Sequence, residues 1–119
     1  MKRVLCVIDD DPEMTELVRF LLAEQELEIE ATCSTAEEAV KLVKDNMADL
    51  VILDHFIDGD VMGLEAAALI KQARPEVKII LLSSHDLAVE ADREPAIDAF
   101  VPKSRLDDLV PTSLRLLDI

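Results

Sequence analysis

Apolar positions along the chain follow two alternating patterns. Five short runs rich in β-branched and aliphatic residues, at 3–8, 28–33, 50–53, 78–82 and 99–101, read as strands. Between them apolar residues recur at helical spacing. Asp11, Pro12 and Glu13 have the order of an N-cap followed by proline at the first helical position, and Met14, Leu17, Val18, Leu21 and Leu22 then form one apolar face. Thr35 with Glu38 three residues on reads as a capping box, above a face of Ala36, Ala39, Val40, Val43 and Met47. Gly63 opens a third helix through Leu64, Ala67, Ala68, Ile70 and Lys71, which Pro75 closes. A short fourth is expected over 87–92, interrupted near Pro95, and a fifth from about 106 to 117.

The central runs Val51-Ile52-Leu53 and Ile79-Ile80-Leu81-Leu82 are apolar without alternation, as strands covered by helices on both faces are. Strands alternating with helices predict a parallel α/β sheet. No repeat, low-complexity tract or linker divides the chain, so its 119 residues read as one domain, 1–119, and a two-domain enzyme is excluded. In such a sheet ligands bind beyond the carboxyl ends of the strands.

Charge narrows the partners. Twelve Lys and Arg against 26 Asp and Glu leave a net charge of −14, a surface that repels phosphate backbones and so excludes direct binding of nucleic acid or anionic membrane by this domain. Acidity suits a metal cation or a basic partner. The start of the chain carries no signal-peptide apolar region and no stretch is long enough to span a membrane, so the chain reads as cytoplasmic. Cys6 and Cys33 match no metal-ligand spacing and are expected as free, buried thiols, with a disulfide as the weaker alternative.

Polar residues follow the apolar runs directly: Asp9 and Asp10 after the first, Asp54 after the third, Ser83 after the fourth, and Lys103 just beyond the fifth. Any one carboxylate there has a simple alternative as a helix cap. Three brought close together repel and call for a hard divalent cation, while a lysine suits an anion.

In these residues the chain resembles the receiver domains of two-component response regulators. The resemblance covers the whole chain through Val7-Ile8-Asp9-Asp10-Asp11-Pro12, Asp49-Leu50-Val51-Ile52-Leu53-Asp54, Ile79-Ile80-Leu81-Leu82-Ser83-Ser84 and Phe100-Val101-Pro102-Lys103. It implies a flavodoxin-like (βα)5 three-layer sandwich with a five-stranded parallel sheet of order 2-1-3-4-5, an order for which such a receiver is a stock illustration. It also implies Asp54 as phosphoacceptor and Mg²⁺ as cofactor, with Asp10 a direct ligand, Asp9 acting through a water, and Asp54 and the Phe56 backbone carbonyl completing the protein ligands. Ser83 would hydrogen-bond the phosphoryl group, Lys103 would pair with it, and Phe100 would occupy the aromatic switch position, where plain core packing is an equal reading. The implied partners are a histidine kinase or histidine phosphotransfer protein and a downstream effector domain or protein, with a homodimer through the helix 4/strand 5/helix 5 face as a further expectation. The 101–104 stretch is similar to receivers joined to helix-turn-helix domains, and the chain reads equally as a stand-alone receiver.

Several positions depart from the family's pattern. Ile57-Asp58 replaces the usual Met-Pro pair, and Gly63 lies nine positions after Asp54, where eight is usual, so the loop has gained a residue. Its extra acids Asp58 and Asp60 read as solvated turn residues, with a change in metal affinity as the alternative. Ser104 stands where many relatives have proline and a cis bond, and the interval from Ser83 to Lys103 is short by about two residues relative to common members, in keeping with a weak fourth helix. Phe56 is expected to shield an aspartyl phosphate from water, whereas His55 and His85 read as exposed rim residues without a catalytic role, with a pH-sensitive contact to the phosphate as the alternative. Two other functions compete. One is a pseudo-receiver that binds partners without being phosphorylated. The other is a small haloacid-dehalogenase-like phosphatase, since Asp9-Asp10-Asp11 contains Asp-x-Asp, although Pro12-Glu13 does not suit that family and the length leaves no room for its cap.

Overall fold

A computed structural model of the chain describes residues 2–8, 12–45 and 48–119. Its strands are β1 (Lys2–Val7), β2 (Leu27–Cys33), β3 (Leu50–Asp54), β4 (Lys78–Ser83) and β5 (Ala99–Pro102). Its helices are α1 (Pro12–Leu22), α2 (Ala36–Lys44), α3 (Gly63–Ala73), α4 (Ala88–Arg93) and α5 (Leu109–Leu117), with a 3-10 segment over Lys103–Asp108. All strand pairs are parallel, in the order β2-β1-β3-β4-β5. The flavodoxin-like architecture expected from the sequence is the one found.

Successive residues of the central strands serve opposite faces, which is why their sequences do not alternate in polarity. Leu5, Val7, Val51, Leu53, Ile79 and Leu81 pack under α2 and α3 with Ala39, Val43, Ala67 and Ile70. Val4, Cys6, Leu50, Ile52, Ile80 and Leu82 pack on the other face with Val18, Leu22 and Leu109. β2 lies at the sheet edge, alternates in burial, and turns Glu28 and Glu30 to solvent, charges that discourage pairing with another chain.

Local signals hold in most places. Thr35 Oγ1 accepts from the Glu38 N–H at 3.2 Å and donates to Glu38 Oε1 at 3.0 Å, fixing the start of α2. The caps expected from Asp11 and the face position of Met47 lie outside the described residues. Some helical faces are narrower than expected. Leu17 is 42% exposed on the flank of α1, and in α3 it is Ala66, not Ala68, that turns inward. The fifth helix begins at Leu109 instead of 106, because a helix from 106 would hold Pro111 in its interior, where its ring meets the carbonyl four residues back. Starting at 109 leaves Pro111 in the first turn, which tolerates it.

At the amino-terminal end of the sheet, Lys71 Nζ donates to Asp98 Oδ2 and to the Val77 carbonyl, each at 2.6 Å, and Asp98 Oδ2 also accepts the Ile79 N–H at 2.8 Å. This half-buried node ties α3 to β4 and to the entry of β5.

Both cysteines are free, but Cys33 is only half-buried. Cys6 packs with the α1 and α5 side of the sheet and Cys33 with the α2 and α3 side. Burial pushes both thiols up to about 12. The folded chain therefore keeps protons that the unfolded chain sheds above the ordinary thiol value, so stability declines as pH rises from about 9 towards 12. With iodoacetamide at pH 8 we expect both thiols of the folded protein to react far more slowly than in denaturant, Cys33 ahead of Cys6. Mass spectrometry of timed digests checks this, and native alkylation of Cys6 at its denatured rate would contradict the packing.

Candidate functional site

Strand register assembles the site. β3, β4 and β5 are adjacent, with Asp54 opposite Leu82 and Ser83 opposite Pro102, so Asp54, Ser83 and the residue after Pro102 reach one rim at the carboxyl ends. That next residue, Lys103, opens the 3-10 segment and turns its amine back over the sheet. Lys103 Nζ lies 2.9 Å from Asp54 Oδ2. Asp54 is only 3% exposed, and its other oxygen, Oδ1, is buried without a hydrogen-bond partner among the described residues. A buried carboxylate with one oxygen on a lysine and the other open is costly to maintain as structure alone. It leaves a lone pair available to a metal ion or to an electrophile.

Ser83 is fully buried, and its Oγ accepts the His85 N–H at 3.1 Å. Phe100 is half-buried against the α2 and α3 core, opposite Leu81 in the β4–β5 pairing. Phe56 is 41% exposed. Its ring meets His85 at a centroid separation of 4.8 Å and His55 edge-on at 4.9 Å, a row of three rings beside the end of β3. Asp9 and Asp10, the two carboxylates expected to hold a cation with Asp54, lie outside the described residues. Among the described residues no three acidic, histidine or cysteine side chains form a metal-binding group. The donor chemistry nonetheless fits a hard cation at the open Asp54 oxygen.

Sequence reading missed the role of His55. It was expected at an exposed rim, yet it is half-buried, and its Nδ1 accepts the Leu64 N–H at 3.3 Å while its carbonyl accepts the Gly63 N–H at 2.6 Å. Desolvation lowers its pKa against the opposing pull of the Asp54 carboxylate, and the lowered pKa favours the neutral ring that can accept this hydrogen bond. No local signal could have found this cap, because donor and acceptor are separated by the nonperiodic loop. The loop is itself anchored at Asp58, whose N–H donates to the Ser34 carbonyl at 2.8 Å and which pairs with Thr35. Asp58 and Asp60 are exposed and line a cleft of about 830 Å³ between α2 and α3. The Lys103–Ser104 bond is trans, as are the other described peptide bonds. No helix of the described residues is long and apolar enough to cross a membrane.

Comparison with known proteins supplies a family. The model of the response regulator receiver domain family matches residues 5–111. The chain is 30% identical over 99% of its length to the nitrogen assimilation regulatory protein NtrX of Azorhizobium caulinodans, covering 27% of that protein. It is 28% identical over 92% of its length to the response regulator PilR of Pseudomonas aeruginosa, covering 26% of it. The chain thus spans about a quarter of the length of these relatives. Among solved structures it resembles the response regulator TrrA of Thermotoga maritima in complex with Mg(2+)-BeF, with a TM-score of 0.83, 38% identity, and coverage of 98% of this chain and 99% of that one.

Proposed function

The chain belongs to the response regulator receiver domain family, a family of signalling switches, and on that premise we propose that Asp54 accepts a phosphoryl group. The observation that carries this is the buried Asp54 carboxylate, held through one oxygen by Lys103 and unpaired at the other among the described residues. In the proposed reaction a carboxylate oxygen of Asp54 attacks phosphorus in line, an acyl phosphate forms, and the bond from phosphorus to the donor nitrogen or oxygen breaks with its electron pair leaving on the donor. The donor is a phosphohistidine of a histidine kinase or phosphotransfer protein, or a small acyl phosphate. Lys103 would shift from the carboxylate to the new phosphoryl oxygens as their charge develops. Asp10, Asp54 and the Phe56 carbonyl, with Asp9 through a water, would hold Mg²⁺, which would supply positive charge against that of the transferring group.

The phosphoryl group would bring about −1.5 to −2 charges to this rim. Ser83 would exchange the His85 N–H for a bond to a phosphoryl oxygen, and Phe100 would move into the space released, reshaping the face formed by α4, β5 and α5 for an effector domain, a partner protein or a second copy. The proposed receiver is the single domain 1–119.

Intact mass after incubation with Mg²⁺ and acetyl phosphate tests the reading. One hydroxylamine-labile phosphoryl adduct per chain, absent in Asp54→Ala, is expected. No adduct on a folded wild type would favour a pseudo-receiver, and sustained turnover of a phosphate ester would favour a phosphatase. The ring row around Phe56 should also set the lifetime of the adduct by limiting the approach of water. Phe56→Asn is expected to dephosphorylate several-fold faster than wild type, as followed by loss of the adduct mass. An unchanged or slower decay would remove Phe56 as a shield.

A further inference from the structure

We infer that His55, the residue after the phosphoacceptor, is a positioning residue that fixes Asp54 for phosphoryl transfer by capping α3. The inference rests on the phosphoacceptor reading above. α3 starts without a cap of its own, since Met62 at the N-cap position makes no side-chain hydrogen bond to it. The first N–H groups of a helix need partners from outside. Two are supplied by one residue across the loop: the His55 carbonyl takes the Gly63 N–H at 2.6 Å, and His55 Nδ1 takes the Leu64 N–H at 3.3 Å.

His55 is meanwhile held to the sheet by its own N–H, which donates to the Leu82 carbonyl at 3.1 Å. The residue is thereby fixed on both sides, to β4 behind and to α3 ahead. Asp54 precedes it and Phe56 follows it, so the carboxylate and the Phe56 carbonyl are aimed by a backbone that has little freedom to turn. Transfer depends steeply on such aim. The imidazole also touches Phe56, so the acceptor and the ring contact must be separated experimentally.

Two variants do this. His55→Phe keeps an aromatic ring beside Phe56 but has no acceptor. His55→Asn loses the ring but carries an amide oxygen at the position of Nδ1. Asp98→Asn, at the opposite end of the sheet, serves as a control for general loss of stability. The initial rate of adduct formation with acetyl phosphate at saturating Mg²⁺ is read by intact mass. Expected are a fall of at least about fivefold in His55→Phe, a rate within about twofold of wild type in His55→Asn, and no change in Asp98→Asn. Faster amide exchange at Leu64 should accompany the slow variant and not the rescued one.

A labelled wild type with His55→Phe equally fast, or His55→Asn as slow as His55→Phe, overturns the positioning role alone. A folded wild type that takes no phosphoryl group overturns the phosphoacceptor reading, and the positioning role with it.

Discussion

Lys103→Met is expected to slow phosphorylation by acetyl phosphate on the order of 100-fold, the scale of removing one charge-stabilising donor from a transition state. Lys103 is the described cation in contact with Asp54, at 2.9 Å from Oδ2, and its own side chain is 23% exposed. Methionine preserves much of the stem's volume while removing the charge. The same change removes a positive charge from beside the Asp54 carboxylate, so Mg²⁺ at the other oxygen should bind the variant as well as wild type or more tightly, because it no longer meets the repulsion of the ammonium. Slow transfer with undiminished cation binding separates lost catalysis from a damaged site. Stability in the absence of the metal should fall by roughly 1–3 kcal/mol, the cost of leaving a buried acceptor unpaired. Adduct kinetics, a Mg²⁺ titration and a urea midpoint read the three effects. A near-normal rate would mean that Lys103 is a structural partner of Asp54 and nothing more.

How much of this was legible in the sequence depends on the range of each interaction. The strands were legible because burial on both faces leaves a run such as Ile79-Ile80-Leu81-Leu82 uniformly apolar. Thr35 and Glu38 were legible because the cap closes within one turn. Asp54, Ser83 and Lys103 were legible as strand-end residues, and parallel register brings them to one rim. Strand order came with the family resemblance, since periodicity alone does not say which strands are neighbours.

What could not be read are contacts that cross irregular backbone. In the loop after β3 the side chain of Asp58 is exposed, as a solvated turn acid is expected to be, but the pairing of its backbone with Thr35, which joins the rim to the start of α2, has no sequence signal. The ring row of His55, Phe56 and His85 joins two loops that sequence reading treats separately. The start of α5 was misplaced for a different reason. Leu106 continues the apolar pattern, yet the restriction imposed by Pro111 overrides periodicity.

Gly63→Ala tests the same junction by packing, and its sign distinguishes local preference from tertiary constraint. In the interior of an isolated helix such a substitution would stabilise by about 1 kcal/mol. Here a Cβ on Gly63 would fall 2.6 Å from the His55 Cα and closer still to the Asp54 carbonyl oxygen, both backbone atoms that no rotamer change can move. α3 would have to retreat from the end of β3, weakening the two hydrogen bonds to His55 and turning the segment that carries Asp54. A net loss of about 1–3 kcal/mol is expected in a urea titration, together with slower adduct formation. At Ala68, exposed on the same helix, Ala68→Gly should lose about 1 kcal/mol and leave transfer unchanged. Glycine would thus be preferred at one position of α3 and alanine at another, the first because a β-carbon has no room beside the backbone of Asp54 and His55 and the second because only helix propensity acts there. A Gly63→Ala protein at least as stable as wild type would show that α3 does not approach β3 this closely, and the capping role of His55 would lose its geometric basis.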